Sequence, residues 1–83
     1  MYNLNDQSEE EQLKVVSKSG YAIYDIASPS EAVQLAAINQ NVFAINWIKT
    51  PTYKAQLAAV KQDKCAIKYI HNPSAQVFLE ANK

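Results

Sequence analysis

The chain has 83 residues, of which 48% are hydrophobic and only one is a glycine. This is enough for one small folded domain and excludes a disordered chain, while so little glycine excludes β-sandwiches, barrels and phosphate-binding loops. The formal net charge is zero, which gives no general reason to expect a nucleic-acid or membrane partner.

The charge is nevertheless distributed unevenly. Residues 1–31 contain six acidic residues and two lysines, a sum of −4, whereas residues 32–83 contain six lysines and two acidic residues, a sum of +4. All the cationic residues are lysines, which lack the bidentate guanidinium fork that favours phosphate and base recognition.

The single cysteine and the N-terminal residues indicate the cell compartment of the protein. Cys65 is the single cysteine, so no internal disulfide can form and a reducing compartment is expected. The N-terminus lacks the cationic start and apolar run of a signal peptide, and no stretch approaches the roughly 18 apolar residues of a membrane span. We therefore expect a cytoplasmic protein whose natural start is Met1.

A 22-residue repeat runs through the chain. Three sets of residues recur at this period: Gln12-Leu13, Gln34-Leu35 and Gln56-Leu57; Ala22-Ile23, Ala44-Ile45 and Ala66-Ile67; Pro29, Pro51 and Pro73. Such a period is typical of stacked-repeat proteins. It predicts one all-α domain over residues 1–83, an α-solenoid-like stack of three helical hairpins (6–27, 28–49, 50–71) and a C-terminal half unit (72–83), with about seven helices.

The first helix of each unit has a recurring start signal. Good N-cap residues, Asp6, Ser28, Thr50 and Asn72, each precede Gln7 or a proline, and proline is favoured at the first helical position. The pattern therefore predicts helices that begin at these caps and end near Lys18, Gln40 and Gln62. The glutamine column of Gln12, Gln34 and Gln56 is expected to form a hydrogen-bonded ladder between units.

A short polar turn leads to a second, shorter helix in each unit. These helices are predicted over 21–27, 43–49 and 65–71, with the Ala-Ile-x-x-Ile pattern on one buried face. Three pairs spaced i,i+4, Tyr21/Asp25, Phe43/Trp47 and Cys65/Tyr69, form a stripe across the stack. We expect Tyr21, Phe43 and Cys65 to pack between hairpins.

Two segments carry a resemblance to a known repeat type. Gln34-Leu-Ala-Ala-Ile-Asn-Gln-Asn and Gln56-Leu-Ala-Ala-Val-Lys-Gln-Asp are each followed by Ala-Ile-x-x-Ile and a proline. They resemble the short two-helix repeats of unassigned function in bacterial effectors and in phage or prophage proteins, over residues 7–82. The resemblance implies an interaction scaffold of bacterial or viral origin, similar in style to small phage inhibitors of host defence that act in the host cytoplasm by covering a surface.

The outer columns of the second helices provide the candidate partner-binding residues. Aromatic residues of the kind enriched at binding hot spots stand beside polar residues that differ from unit to unit. We predict a protein-binding surface anchored by Trp47 and Tyr69, with Asp25, Asn46, Lys68 and Tyr24 beside them.

Other functions and a second contact remain as alternatives. Lys49, Lys54, Lys61, Lys64 and Lys68 make the third unit basic, which leaves nucleic-acid binding, or no ligand at all, as alternatives. Phe78 stands in the glutamine column of the last unit, where no successor covers it, so Phe78 and Val77 are candidate contacts of a two-fold dimer. Cys65 and His71 lack the further groups of a metal or nucleophilic site, so neither catalysis, a metal nor a cofactor is expected.

Overall fold

The computed structural model describes residues 3–83, and all regular structure in that range is helical. The α-helices are α1 (Glu9–Lys18), α2 (Glu31–Gln40), α3 (Tyr53–Gln62) and α4 (Ala75–Ala81). The 3-10 helices are η1 (Leu4–Asp6), η2 (Gly20–Asp25), η3 (Val42–Trp47) and η4 (Lys64–Tyr69). The predicted all-α fold of stacked hairpins is confirmed. Met1 lies outside the described residues.

The sequence period is present in the helices. The α-helices start at Glu9, Glu31, Tyr53 and Ala75, each 22 residues after the one before, and the first three end at Lys18, Gln40 and Gln62 as predicted. Each α-helix packs beside the next one, and the 3-10 helices η2, η3 and η4 do the same. The result is a layer of α-helices against a layer of 3-10 helices, in a body of 44 × 19 × 16 Å.

The predicted helix starts were wrong by two residues. The N-caps are Ser8, Ser30, Thr52 and Ser74, whose hydroxyls each accept the backbone N–H three residues later. Each proline is therefore the residue before the cap and not the first helical residue. The caps are extended, with ψ between 156° and 164°, and a proline in front of them suits this entry into the helix. Asn72 instead adopts a left-handed conformation with φ 59°, which asparagine tolerates.

The second helices are 3-10 helices, although the spacing of the sequence pattern predicts α-helices. Each begins after a polar cap residue (Ser19, Asn41 or Asp63) and ends before an isoleucine with an extended backbone, so each helix is six residues long. Asn41 and Asp63 cap them by accepting the N–H two residues later. In a 3-10 helix the side chains at i and i+3 are aligned, so the predicted i,i+4 pairs are replaced by i,i+3 neighbours.

The core lies between the two layers and is made of aliphatic side chains. Its fully buried members include Val16, Ile23, Val33, Ile38, Ile45 and Val77, with alanines between them where helices approach closely. Gly20, the single glycine, packs closely against α2: a Cβ added there would lie 2.7 Å from the carbonyl oxygen of Ala37. Because small aliphatic residues fill the core, the large aromatic residues of η2, η3 and η4 lie on the solvent-facing side of the 3-10 layer.

Hydrogen bonds of Gln34 and Gln56 join neighbouring units, which confirms the predicted ladder at these two positions. Gln12 instead donates to the carbonyls of Leu4 and Gln7, before its own helix. Gln34 Nε2 donates to the Pro29 carbonyl, and its Oε1 accepts the Thr52 N–H at 3.0 Å. A second set of hydrogen bonds joins α2 to the preceding unit: Gln40 Oε1 accepts the Gly20 N–H, and Gln40 Nε2 donates to the Lys18 carbonyl. The second unit is thus hydrogen-bonded to the third near the start of α2 and to the first at the end of α2.

Candidate interaction surface

Five aromatic side chains lie together on the outer side of the 3-10 layer. We call this the aromatic surface: Tyr21, Tyr24, Phe43, Trp47 and Tyr69. Their exposed fractions run from 38% for Phe43 to 69% for Tyr24. Contiguous apolar patches on a protein surface often mark binding sites.

Contacts between neighbouring units hold the aromatic rings in place. Trp47 of η3 contacts both tyrosines of η2, with centroid distances of 6.2 Å to Tyr21 and 5.3 Å to Tyr24, and interplanar angles of 72° and 88°. Phe43 and Tyr69 repeat the arrangement one unit on, at 5.2 Å and 80°. These edge-to-face contacts order the aromatic surface without burying it.

Three residues predicted to lie between hairpins are instead exposed. Tyr21 is 49% exposed, Phe43 is 38% exposed and Cys65 is an exposed free thiol. The reason is the 3-10 geometry: the buried face of each short helix is already occupied by the isoleucines and alanines, such as Ile45 and Ala44 of η3. Sequence reasoning missed Tyr21 and Phe43 as surface residues because it assumed an α-helical stripe.

The predicted partner-binding residues lie on or beside the aromatic surface. Trp47 and Tyr69 are each 40% exposed, so their predicted partial exposure is confirmed. Asp25 and Lys68 are exposed at opposite ends of the 3-10 layer, whereas Asn46 is only half-buried between them. The Asn46 carbonyl lies 3.0 Å from His71 Nε2, so the sole histidine makes a contact between units.

Two shallow slots are formed by the aromatic surface. The first, which we call the Trp47 slot, is lined by Tyr21, Tyr24, Asp25 and Trp47 and has a volume of about 380 Å³. The second, the Tyr69 slot, is lined by Tyr21, Phe43, Asn46, Trp47 and Tyr69 and measures about 240 Å³. The slots adjoin one another at Tyr21 and Trp47, and only the first contains a charged side chain.

The two candidate dimer contacts at the end of the stack, Val77 and Phe78, differ in burial. Val77 is fully buried in the core of its own chain, so it offers no surface to a second copy. Phe78 is 55% exposed, and its neighbour Leu79, which sequence reasoning did not select, is 59% exposed. The equivalent glutamines Gln34 and Gln56 are buried, which shows that a following unit is what covers this position.

The remaining charged and metal-binding candidates are dispersed. The five lysines Lys49, Lys54, Lys61, Lys64 and Lys68 are all exposed, and Lys64 Nζ donates to the carbonyl of Lys83. Within residues 3–83, no group of three or more His, Cys, Asp or Glu side chains is arranged to hold a metal ion. In the same range, no helix has the length and apolar content that crossing a membrane requires.

Comparison of the chain with protein-family models, with curated proteins and with solved structures finds no match.

Proposed function

We propose that this protein is a non-enzymatic module that binds another protein through the aromatic surface. The observation that carries the proposal is that five large aromatic residues are ordered by mutual contacts yet left 38–69% exposed, while smaller aliphatic residues fill the core. Aromatic residues bury large areas at low entropic cost and are enriched at binding hot spots.

Polar residues at the edges of the aromatic surface supply the specificity of the proposed interface. Asp25 is exposed on the side of the first unit and Lys68 on the side of the third, so the two ends differ in charge. Complementary charges at a rim chiefly steer encounter and suppress wrong partners. A partner with a basic group facing Asp25 and an acidic group facing Lys68 fits this arrangement best. The resemblance to effector and phage repeats favours a role as an inhibitor that covers a surface of a host protein.

Removal of the two anchors tests the proposal. The double variant Trp47→Ala plus Tyr69→Ala is expected to lose capture of a specific protein from the cytoplasm of the native host, and to lose binding to that protein once it is purified. Because both side chains lie outside the core, far-UV circular dichroism should be unchanged. Tyr53→Ala is the matched control, since Tyr53 is 48% exposed on α3, outside the aromatic surface. Equal binding by the double variant and the wild type would refute the proposal.

Nucleic-acid binding through the third unit is the second candidate function. It is favoured by the four exposed lysines of that unit, Lys54, Lys61, Lys64 and Lys68, with the exposed Lys49 directly before it. It is opposed by the zero net charge and the lack of arginine. Fluorescence titration with DNA and RNA at low and moderate salt separates the candidates, because phosphate contacts weaken steeply with salt. Salt-sensitive binding that is lost when Lys64 and Lys68 are changed to Gln, and kept when Trp47 is changed, would favour this candidate.

A further inference from the structure

The Trp47 slot brings together three aromatic rings, the side chains from which aromatic cages are built. Tyr21 and Tyr24 are three residues apart on η2, so the 3-10 geometry aligns them on one side of that helix. Trp47 comes from the next unit and meets both rings at steep angles, 72° and 88°. The three rings thus meet edge to face and line one slot that is open to solvent. The faces of aromatic rings carry negative electrostatic potential, which attracts cations.

A carboxylate completes the lining of the Trp47 slot. Asp25 follows Tyr24 directly and is the only charged residue in the lining. Among residues 3–83 the one ion pair joins Lys83 and Glu80 at 3.2 Å, so Asp25 has no ion-pair partner in that range, and Lys49 is the lysine that lines the neighbouring cavity with it. A carboxylate beside three aromatic rings favours a cation with apolar substituents, because methyl groups contact the rings while the charge faces the carboxylate.

The Tyr69 slot serves as an internal comparison because it is built from equivalent positions. Phe43, Asn46 and Tyr69 stand where the Trp47 slot has Tyr21, Tyr24 and Trp47, one period of 22 residues earlier. At the position of Asp25 the Tyr69 slot has Trp47. The second slot therefore has one aromatic wall replaced by an amide and has no carboxylate. The two slots share a scaffold and differ in the chemistry that would select a cation.

We propose that Tyr21, Tyr24, Trp47 and Asp25 form a binding site for a methylated ammonium group. Tetramethylated and trimethylated nitrogen centres are weakly hydrated cations, and aromatic cages recognise them by cation–π attraction. The group is either a small free cation of the choline type or the side chain of a methylated lysine on another protein. The inference depends on the Trp47 slot alone and stands whether or not the aromatic surface binds a host protein.

Titration with tetramethylammonium chloride tests the site directly. Trp47 is the only tryptophan in the chain, so its indole N–H gives a single assignable signal in ¹H–¹⁵N spectra and its fluorescence reports on the slot. We expect a saturable shift of that signal at constant ionic strength, with sodium chloride as the reference salt. Absence of a saturable shift would overturn the proposal.

Charge recognition is tested with a neutral molecule of the same shape. Choline and 3,3-dimethylbutan-1-ol differ in the central atom, nitrogen or carbon, and therefore in charge. We expect choline to bind about two- to five-fold more tightly, the discrimination that one cation–π contact at an exposed site provides. Equal affinities would show a plain apolar slot and overturn the proposal.

Variants distinguish the two slots. Of the two slots, Tyr24→Ala removes a wall of the Trp47 slot alone, and Asp25→Asn removes the charge of that slot at constant shape. Each variant should weaken tetramethylammonium binding about two-fold or more. Tyr69→Ala changes only the Tyr69 slot and is expected to leave the affinity unchanged. Tyr24 is 69% exposed and Asp25 is exposed, so both variants should fold, which circular dichroism checks. Unchanged affinity in both Tyr24→Ala and Asp25→Asn would overturn the proposal.

Two further probes, choline and a trimethyl-lysine peptide, decide whether the bound cation is a small molecule or a protein side chain. Tighter binding of choline than of a trimethyl-lysine peptide assigns the site to a small free cation. Tighter binding of the peptide, with at least about five-fold loss for the same peptide carrying unmodified lysine, assigns it to a methylated protein. Equal binding of the methylated and unmodified peptides, with both tighter than choline, would contradict the cage.

Discussion

Gln56 joins two repeat units by accepting a hydrogen bond from Ser74. Its Oε1 lies 2.9 Å from the Ser74 backbone nitrogen, while its Nε2 donates to the Pro51 carbonyl at 3.0 Å. The side chain is only 7% exposed. Ser74 is the N-cap of α4, so this one amide satisfies backbone groups at the start of its own helix and at the start of the next.

Replacement of Gln56 by alanine should therefore destabilise the protein. It leaves the Ser74 N–H and the Pro51 carbonyl without their partner in a poorly hydrated seam, at a cost of about 1–3 kcal/mol. Urea unfolding followed by circular dichroism measures the loss. Gln76→Ala is the control, because Gln76 is exposed on α4 and should change the free energy of unfolding by less than about 0.5 kcal/mol. Equal effects of the two substitutions would contradict the role of Gln56.

Ser28 and Ser30 allow a direct test of where α2 begins. The Ser30 hydroxyl accepts the Val33 N–H at 3.3 Å, and Ser28 is exposed in front of Pro29. Ser30→Ala should lower the free energy of unfolding by about 1 kcal/mol, as loss of an N-cap does. Ser28→Ala should have an effect smaller than about 0.5 kcal/mol. A larger loss of unfolding free energy for Ser28→Ala than for Ser30→Ala, in thermal or urea unfolding, would identify Ser28 as the cap.

Phe78 tests whether the uncovered end of the stack pairs with a second copy. Phe78 and Leu79 are more than half exposed, and the charges nearest to them, Glu80 and Lys83, neutralise each other. We expect a weak dimer at high micromolar concentration, because a seven-residue helix offers little area. Phe78→Asp should make the protein monomeric by light scattering, and Gln76→Asp should not. A wild-type monomer at high micromolar concentration, unchanged by Phe78→Asp, would remove the dimer.

Much of the fold could be predicted because it is encoded locally and repeated. The 22-residue period, the ends of α1, α2 and α3, and the glutamine ladder all depend on residues within one unit and its neighbour. The error in the helix starts arose because two columns of good cap residues flank each proline, as Ser28 and Ser30 flank Pro29. Residue preferences alone could not choose between the columns.

The candidate site was predicted only in part. Trp47 and Tyr69 were identified because their column begins with Asp25, a residue that seldom lies in a core. Tyr21 and Phe43 were assigned to the interior because an i,i+4 stripe was assumed. The 3-10 geometry, which turns these rings outward, depends on how the six residues of each short helix pack against the layer of α-helices, and that constraint comes from tertiary packing.

The amino-acid sequence by itself determined that this chain is a stack of helical hairpins, because period, caps and apolar spacing act over short distances along the chain. Only the tertiary structure decided which side chains meet. Tyr24 and Trp47 are 23 positions apart, and their rings lie 5.3 Å from one another because η2 and η3 pack side by side. Contacts between units depend on the tilt and spacing of stacked helices, which no single unit encodes.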